Sequence, residues 1–246
     1  MIRRPPPDPA PGFTLIELAI VLFVLTLLLG GMLTPLGQQI AERQNSETRK
    51  ILDQARTALV GYALGHRGAN DAGHLPCPDQ RTGAPRDHGG DGLEDRLPDG
   101  RCAVAWGLLP WRTLGLVEGD AWGNRLDYAV ADDWSRGTAS GPASPRAGLE
   151  ICPDLACAQP VASAAILVSH GRNGFGAFNG TQGINAPPSS LEELENLDGD
   201  GRFILHPPRA PDRPGGEFDD LLVVISGDWL RGRLCDPAAV CAQAPR

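Results

Sequence analysis

The sequence predicts an α+β protein in which a long N-terminal transmembrane helix continues into a small ectodomain with an antiparallel sheet and long loops. An uncharged apolar run over residues 18–33 indicates the membrane-spanning part. Helical spacing of apolar residues continues to about residue 65. Beyond that point, short apolar runs alternate with stretches rich in Gly and Pro, which is typical of strands joined by turns.

The composition limits the classes of partner. The 246 residues carry a formal net charge of −8 and a pI near 5.1. This balance argues against nucleic acid or an anionic lipid surface as the principal partner, because phosphate binding needs a surplus of Lys and Arg. We therefore expect proteins or cations as partners. The 31 Gly and 23 Pro stay below the level that favours disorder, so the chain is predicted to be globular but rich in loops.

The N-terminal apolar run determines the predicted topology. Residues 18–33 contain no charged side chain, and the run begins at Phe13 when Glu17 is included. A bilayer is crossed by about 20 apolar residues. Because Arg3 and Arg4 precede the run, the positive-inside rule places its start in the cytoplasm and the rest of the chain outside it.

Two simpler interpretations of this run fit less well. A secretory signal peptide has a shorter apolar region and a small-residue cleavage site soon after it, and no such site follows here. A plain signal anchor does not account for Glu17, because an ionisable group within a membrane span costs roughly 2.5–3.5 kcal/mol. Glu17 is therefore predicted to have a function and a partner.

The residues Gly12-Phe13-Thr14-Leu15-Ile16-Glu17 carry a family resemblance. With the basic leader before them and the apolar helix after them, they resemble the cleavage and methylation motif of type IV prepilins and of type II secretion pseudopilins. The resemblance implies that a prepilin peptidase cuts between Gly12 and Phe13 and that Phe13 is then N-methylated. It also implies that Glu17 pairs with the terminal amine of a neighbouring subunit, which agrees with the need of a buried carboxylate for an opposite charge.

The same resemblance divides the chain into four parts. These are a cleaved leader at 1–12, a transmembrane and assembly helix at 13–36, an extramembrane half of that helix at 37–65, and a periplasmic pilin-like globular domain at 66–246. In the third part, one apolar stripe at helical spacing predicts a face that packs on the globular domain. Its members are Ile51, Leu52, Ala55, Leu59 and Tyr62. A simple linker helix is the alternative for this segment.

The globular part contains four candidate strands and one short helix. The strands are predicted at 125–131, 164–169, 203–205 and 221–226. Ser190 and Glu193 have the spacing of a capping box, which predicts a helix start at Ser190. Residues 120–128 are also similar to a turn-and-strand segment of the major pseudopilin, and residues 168–174 with 219–226 look like that family's last strands around a metal-binding loop. Turn chemistry around Gly123 explains the first of these segments equally well.

Six cysteines lie beyond the apolar run and predict disulfides, because an even count in an oxidising compartment favours bridges. Proximity in the sequence favours the pairs Cys77–Cys102, Cys152–Cys157 and Cys235–Cys241 among fifteen possible pairings. The spacings do not suit a zinc site. A nucleophile formed by Cys77 and His170 is supported by residue type alone.

Acidic loops supply a candidate calcium site. Residues 196–201 match the first half of an EF-hand loop, although Pro207 stands where a bidentate Glu is needed. The candidate Ca²⁺ ligands are Asp198, Asp200, Glu217, Asp219 and Asp220. Solvated turns prefer the same residue types, so an ordinary exposed loop is the alternative.

The sequence as a whole predicts a structural subunit and no enzyme, because no nucleophile, base and oxyanion site can be recognised together. The resemblance implies a minor pilin or pseudopilin that assembles into a type IV pilus-like filament or a type II secretion pseudopilus. Its expected partners are other such subunits, the prepilin peptidase and, before assembly, inner-membrane lipid, but no nucleic acid. The expected location is the inner membrane, with the N-terminus cytoplasmic and the C-terminal domain periplasmic, and then an extracytoplasmic filament. A membrane-anchored periplasmic binding or adhesive module is the alternative.

Overall fold

The computed structural model of the chain describes residues 12, 14–67, 73–81, 89–136, 148–181 and 183–234, without the side chains of 29–36 and 38. It forms two compact units, Met1–Arg43 and Gln44–Arg246. Its longest element is helix α1, Leu15–Gly65. The remaining elements are short and belong to the second unit. They are β1 Trp106–Leu108, α2 Trp111–Leu114, β2 Asp127–Val130, α3 Asp132–Ser135, β3 Leu149–Cys152, β4 Val161–Ser163, β5 Ala165–Ser169, α4 Leu191–Glu195, β6 Arg202–Ile204, β7 Leu221–Ile225 and α5 Gly227–Leu234.

The predicted transmembrane helix is wrong. Within the part of the chain that is described, no helix is long and apolar enough to cross a membrane. This finding corrects the predicted fold class, which included a transmembrane helix at 13–36. It also contradicts the predicted inner-membrane, single-pass localisation with a periplasmic domain.

The α+β class with an antiparallel sheet is confirmed. The main sheet has the order β1-β2-β5-β7, and every neighbouring pair in it is antiparallel. A smaller sheet has the order β4-β3-β6, in which β3 and β6 are parallel. Each of the four strands predicted from the sequence corresponds to β2, β5, β6 or β7, with bounds that differ by two residues or fewer.

The part of α1 within the second unit contributes to the core. Leu52, Ala55 and Leu59 are buried in the same cluster as Tyr128 of β2 and Ile166 of β5. These three helix residues belong to the apolar stripe predicted from the sequence. The sheet side of this core is almost purely apolar, because all five residues of β5 are buried and four of them are apolar. Such a layer pairing buries the apolar face of each element at once.

Two of the predicted disulfides are confirmed. Cys77 is bonded to Cys102, and Cys152 is bonded to Cys157. The pair predicted between Cys235 and Cys241 lies outside the described residues. Because Cys77 is bonded, the hypothesis that it acts with His170 as a nucleophile is wrong.

Truncation of Leu59 tests the packing of α1. Leu59 is fully buried, whereas Leu64 on the same helix is 42% exposed. We expect Leu59→Ala to lower the free energy of unfolding by about 2–5 kcal/mol, because it removes buried methyl groups and leaves a cavity. Leu64→Ala is the matched control and should change it by less than about 0.5 kcal/mol. Urea denaturation measures both, and equal losses for the two variants would contradict the packing described.

Candidate functional site

The start of α1 holds the residues that the sequence singled out for processing and assembly. Gly12 is exposed, and Phe13 lies outside the described residues. Thr14 and Glu17 form a capping box, because the backbone N–H and the hydroxyl of Thr14 each donate to Glu17 Oε2 at 3.3 Å. In return, Glu17 N–H donates to Thr14 Oγ1 at 3.3 Å. This motif satisfies helix N–H groups that otherwise lack partners.

The surface that follows Glu17 is apolar and uncovered. Every large apolar side chain between Leu15 and Leu28 is at least 45% exposed. A helix that is apolar around its whole circumference is ordinarily buried by other elements. A contiguous exposed apolar surface marks a site of interaction. We name these residues, 15–28, the apolar helix segment.

A buried ion cluster lies at one end of the main sheet. Asp127 at the start of β2 accepts hydrogen bonds from Arg81 Nη2 at 2.5 Å and Nε at 3.2 Å. His170, directly after β5, lies with Nε2 at 2.8 Å from Asp127 Oδ2. Asp127 is fully buried and His170 is 1% exposed. Buried charges of this kind need partners, and here each has one.

The protonation states in this cluster follow from the contacts. Burial alone would raise the pKa of the Asp127 carboxyl, but Arg81 and His170 outweigh burial and lower that pKa. Burial would likewise lower the pKa of His170, yet Asp127 and Asp220 raise it to about 10. His170 is therefore a cation at neutral pH. Its Nδ1 lies 3.4 Å from Asp220 Oδ1, which is an ion-pair distance without hydrogen-bond geometry.

Asp120 organises the turn that leads into β2. Its Oδ1 accepts hydrogen bonds from the N–H groups of Trp122 and Asn124, and its Oδ2 accepts one from Ser169 Oγ at 2.6 Å. Gly123 has a φ of +83°, a conformation that glycine adopts without strain. The residue types in this segment are thus those that an Asp-capped turn needs. The similarity to the pseudopilin segment stays a prediction.

Three carboxylates meet beside this cluster. Ligand oxygens of Glu193, Asp219 and Asp220 lie within 4.8 Å of one another, and we name this group the carboxylate corner. Glu193 Oε1 accepts a hydrogen bond from Asp219 N–H at 3.0 Å. Asp219 Oδ2 accepts one from Asn173 N–H at 2.9 Å, whereas Asp219 Oδ1 is buried without a hydrogen-bond partner. An unpartnered buried carboxylate oxygen is costly, and a hard cation such as Ca²⁺ binds such oxygens.

The predicted calcium ligands are divided between two places. Asp219 and Asp220 belong to the carboxylate corner, while Asp198 and Asp200 form an exposed group with Glu195. Glu217 belongs to neither group. The structure therefore does not bring the five predicted ligands together. The corner, with its unpartnered Asp219 oxygen, fits a cation better than the exposed group does.

Glu193 is the residue that the sequence interpretation missed. The spacing of Ser190 and Glu193 predicted a capping box, and α4 does begin after Ser190. However, Ser190 makes no capping hydrogen bond with its side chain, and Glu193 is buried at 2% exposure. Its carboxylate contacts Asp219 and Asn173 instead. The only signal in the sequence was an acidic residue at a position that also suits a cap.

The carboxylate corner binds protons more tightly than exposed acids do. The pKa of Glu193 is raised to about 7, mainly by burial and then by the charges of Asp220 and Asp219. The pKa of Asp219 is raised to about 6, again mainly by burial and then by Asp220 and Glu217. Both shifts arise because negative charges gather where solvent is excluded.

Comparisons with known protein families, with curated proteins and with solved structures return no match.

The raised pKa of Glu193 predicts how the stability of the fold depends on pH. A carboxyl whose pKa is higher in the folded chain than its ordinary value of 4.5 takes up a proton on folding, so stability falls as pH rises from about 4.5 to about 7. Glu193→Gln removes this loss. In a buffer with a chelator, we expect it to raise the free energy of unfolding by roughly 2 kcal/mol at pH near 8 and to change it little near pH 4. Glu195→Gln is the control, and equal pH profiles for wild type and Glu193→Gln would contradict the prediction.

Calcium binding at the corner is tested by titration. We expect Ca²⁺ to raise the melting temperature of the full chain, because a cation would neutralise the corner and bind the free oxygen of Asp219. Asp219→Asn should abolish the shift, and Asp198→Asn, in the exposed group, should leave it intact. Differential scanning fluorimetry measures the shifts. Equal behaviour of the two variants, or no shift together with no metal by elemental analysis, would overturn the hypothesis.

Proposed function

We propose that this chain is a structural subunit, a minor pilin or pseudopilin, of a type IV pilus-like filament or a type II secretion pseudopilus. A prepilin peptidase cleaves it between Gly12 and Phe13, and Phe13 is N-methylated. The subunit then assembles with other pilin or pseudopilin subunits through the apolar helix segment. The observation that carries the proposal is this uncovered apolar surface directly behind the prepilin-like motif, interrupted by the single carboxylate of Glu17.

The exposure of the apolar helix segment supports association with similar helices. Apolar side chains of residues 15–28 surround the helix, so no single neighbour would cover all of them. A bundle of several such helices covers every face at once. Burial of each Leu, Ile or Phe side chain contributes about 1.5–3 kcal/mol. The segment therefore contains enough apolar surface to drive assembly.

Glu17 determines the register of the helices within such a bundle. Once neighbouring helices exclude water, the Glu17 carboxylate needs an opposite charge close by. Cleavage after Gly12 creates an amine on Phe13, and that group on an adjacent subunit is of the right charge. A bundle in register satisfies every Glu17, whereas a shifted one leaves buried charges unpaired.

Two variants separate the role of Glu17 in assembly from its role in the capping box. Glu17→Gln removes the charge but keeps a side chain that a capping box accepts. Thr14→Ala removes the cap but keeps the charge, at a cost of about 1 kcal/mol in helix stability. We expect Glu17→Gln to abolish filament assembly and Thr14→Ala to assemble with reduced efficiency. Filament yield and helical circular dichroism measure the two effects, and normal assembly of Glu17→Gln would refute the pairing.

Processing gives an independent test. Mass spectrometry of the mature protein, made in cells with a prepilin peptidase, should show an N-terminus at methylated Phe13. Substitution of Gly12 should leave the leader attached, because Gly12 is the motif residue directly before the proposed cut. A mature N-terminus at any other residue would overturn the proposal.

A further inference from the structure

Two histidines lie together at the C-terminal end of α1, and the proposed function uses neither of them. His66 directly follows Gly65, the last residue of α1, and His74 belongs to the segment that leads to Cys77. The centroids of the two rings are 5.3 Å apart, and the ring planes are tilted by 57°. His66 is exposed and His74 is half-buried. The pair therefore lies at the surface of the second unit.

The hydrogen bond of His66 determines which of its ring nitrogens carries the proton. Nδ1 of His66 lies 2.8 Å from the backbone carbonyl oxygen of Tyr62. Because a carbonyl oxygen only accepts, Nδ1 carries the proton, and the lone pair of the neutral ring is on Nε2. Histidines that bind a metal ordinarily donate a hydrogen bond through the nitrogen that does not bind it. Nε2 of His66 is thus in the state that metal binding requires.

The aromatic ring of Tyr62 holds both imidazoles in place. His66 stacks on this ring with a centroid distance of 3.9 Å, and His74 meets it edge-on at 5.9 Å. The hydroxyl of Tyr62 donates to Glu94 Oε1 at 2.6 Å. In turn, Glu94 Oε2 accepts a hydrogen bond from Cys77 N–H at 3.0 Å. The surface beneath the two rings is therefore fixed to the segment that follows His74.

The backbone on either side of His74 is also fixed. Gly73 has a φ of +96°, and a Cβ added there would lie 2.5 Å from the carbonyl oxygen of Ala63. Only glycine therefore lets the chain pass this close to α1. On the other side, Leu75 N–H donates to the carbonyl oxygen of Trp134 at 2.8 Å. His74 is thus positioned against the end of α1 by its two neighbours.

The separation of the two rings matches that of two imidazoles on one metal ion. A metal ion lies about 2.0–2.1 Å from the nitrogen that binds it, and hence about 3.2 Å from the centroid of that ring. Two rings at the tetrahedral angle then have centroids about 5.2–5.3 Å apart. The observed distance is 5.3 Å. Imidazole nitrogen suits Zn²⁺, Ni²⁺ and Cu²⁺, whereas Ca²⁺ and Mg²⁺ prefer oxygen ligands.

We propose that His66 and His74 form a binding site for a divalent transition-metal ion such as Zn²⁺, with water completing a tetrahedral shell. An imidazole has two ring nitrogens, so His74 binds the ion through one and keeps the other for a hydrogen bond. The bound ion joins the end of α1 to the segment at His74. The other two described histidines, His170 and His206, each contact a carboxylate instead.

Calorimetric titration with Zn²⁺ tests the proposal on the full chain, prepared without a histidine tag and treated with a chelator. We expect one ion to bind per chain at the pair. His66→Ala and His74→Ala should each lower the affinity at least about tenfold. His206→Gln is the matched histidine control, and Asp219→Asn is the control for binding at the carboxylate corner. Both controls should bind as the wild type does. No binding by the wild type, or unchanged affinity in either His66→Ala or His74→Ala, would overturn the proposal.

Electron paramagnetic resonance identifies the ligands directly. In the full chain loaded with one equivalent of Cu²⁺, we expect hyperfine coupling to two imidazole nitrogens. His66→Ala and His74→Ala should each reduce this coupling to one nitrogen. Melting temperatures without metal show whether each variant is folded, and the exposed position of His66 predicts that its variant melts as the wild type does. A wild-type spectrum without coupling to nitrogen would overturn the assignment.

Discussion

The buried carboxylate of Asp127 is the constraint around which this end of the main sheet is organised. It is fully excluded from solvent, so it requires opposite charges, and Arg81 and His170 supply them from two other segments of the chain. Removal of one partner from a buried ion pair costs about 3–5 kcal/mol, because the remaining charge is left uncompensated. The cluster thereby fixes the segment at Arg81, the start of β2 and the residue after β5 in one arrangement.

His170 connects the Asp127 cluster, whose charges have opposite partners, to the carboxylate corner, where negative charges gather. Its second ring nitrogen faces Asp220, whose other oxygen accepts a hydrogen bond from Asn196 Nδ2 at 2.8 Å. Beyond Asp220, Glu193 and Asp219 have no cationic side chain of their own among the described ion pairs, and their pKa values rise accordingly. Two adjacent acidic groups thus have opposite character. Asp127 is charged and has opposite charges beside it, whereas the carboxylate corner gathers negative charge, which favours uptake of a proton.

Local patterns in the sequence predicted the parts of this structure that depend on local rules. The apolar runs of β5 and β7, the helical stripe at Leu52 and Leu59, and two disulfides between nearby cysteines are of this kind. Strands β1, β3 and β4 were missed, because three or four residues with partial exposure carry little periodic signal. The carboxylate corner could not be predicted from local patterns either, since Glu193 and Asp219 are distant in the sequence. The predicted membrane span was wrong. It rested on hydropathy alone and was extended past Glu17 at one end and past Gly30 and Gly31 at the other.

The capping box at the start of α1 changes how Glu17 is understood. Its hydrogen bonds with Thr14 use only Oε2, so Oε1 has no hydrogen bond among the described residues. The helix N-terminus also favours a negative charge at this position. A carboxylate held in this way keeps one orientation on an otherwise apolar surface. In the proposed assembly, the neighbouring amine would therefore meet a preorganised oxygen, and little side-chain entropy would be lost on pairing. In that assembly, the cap and the intersubunit contact would be two uses of one side chain.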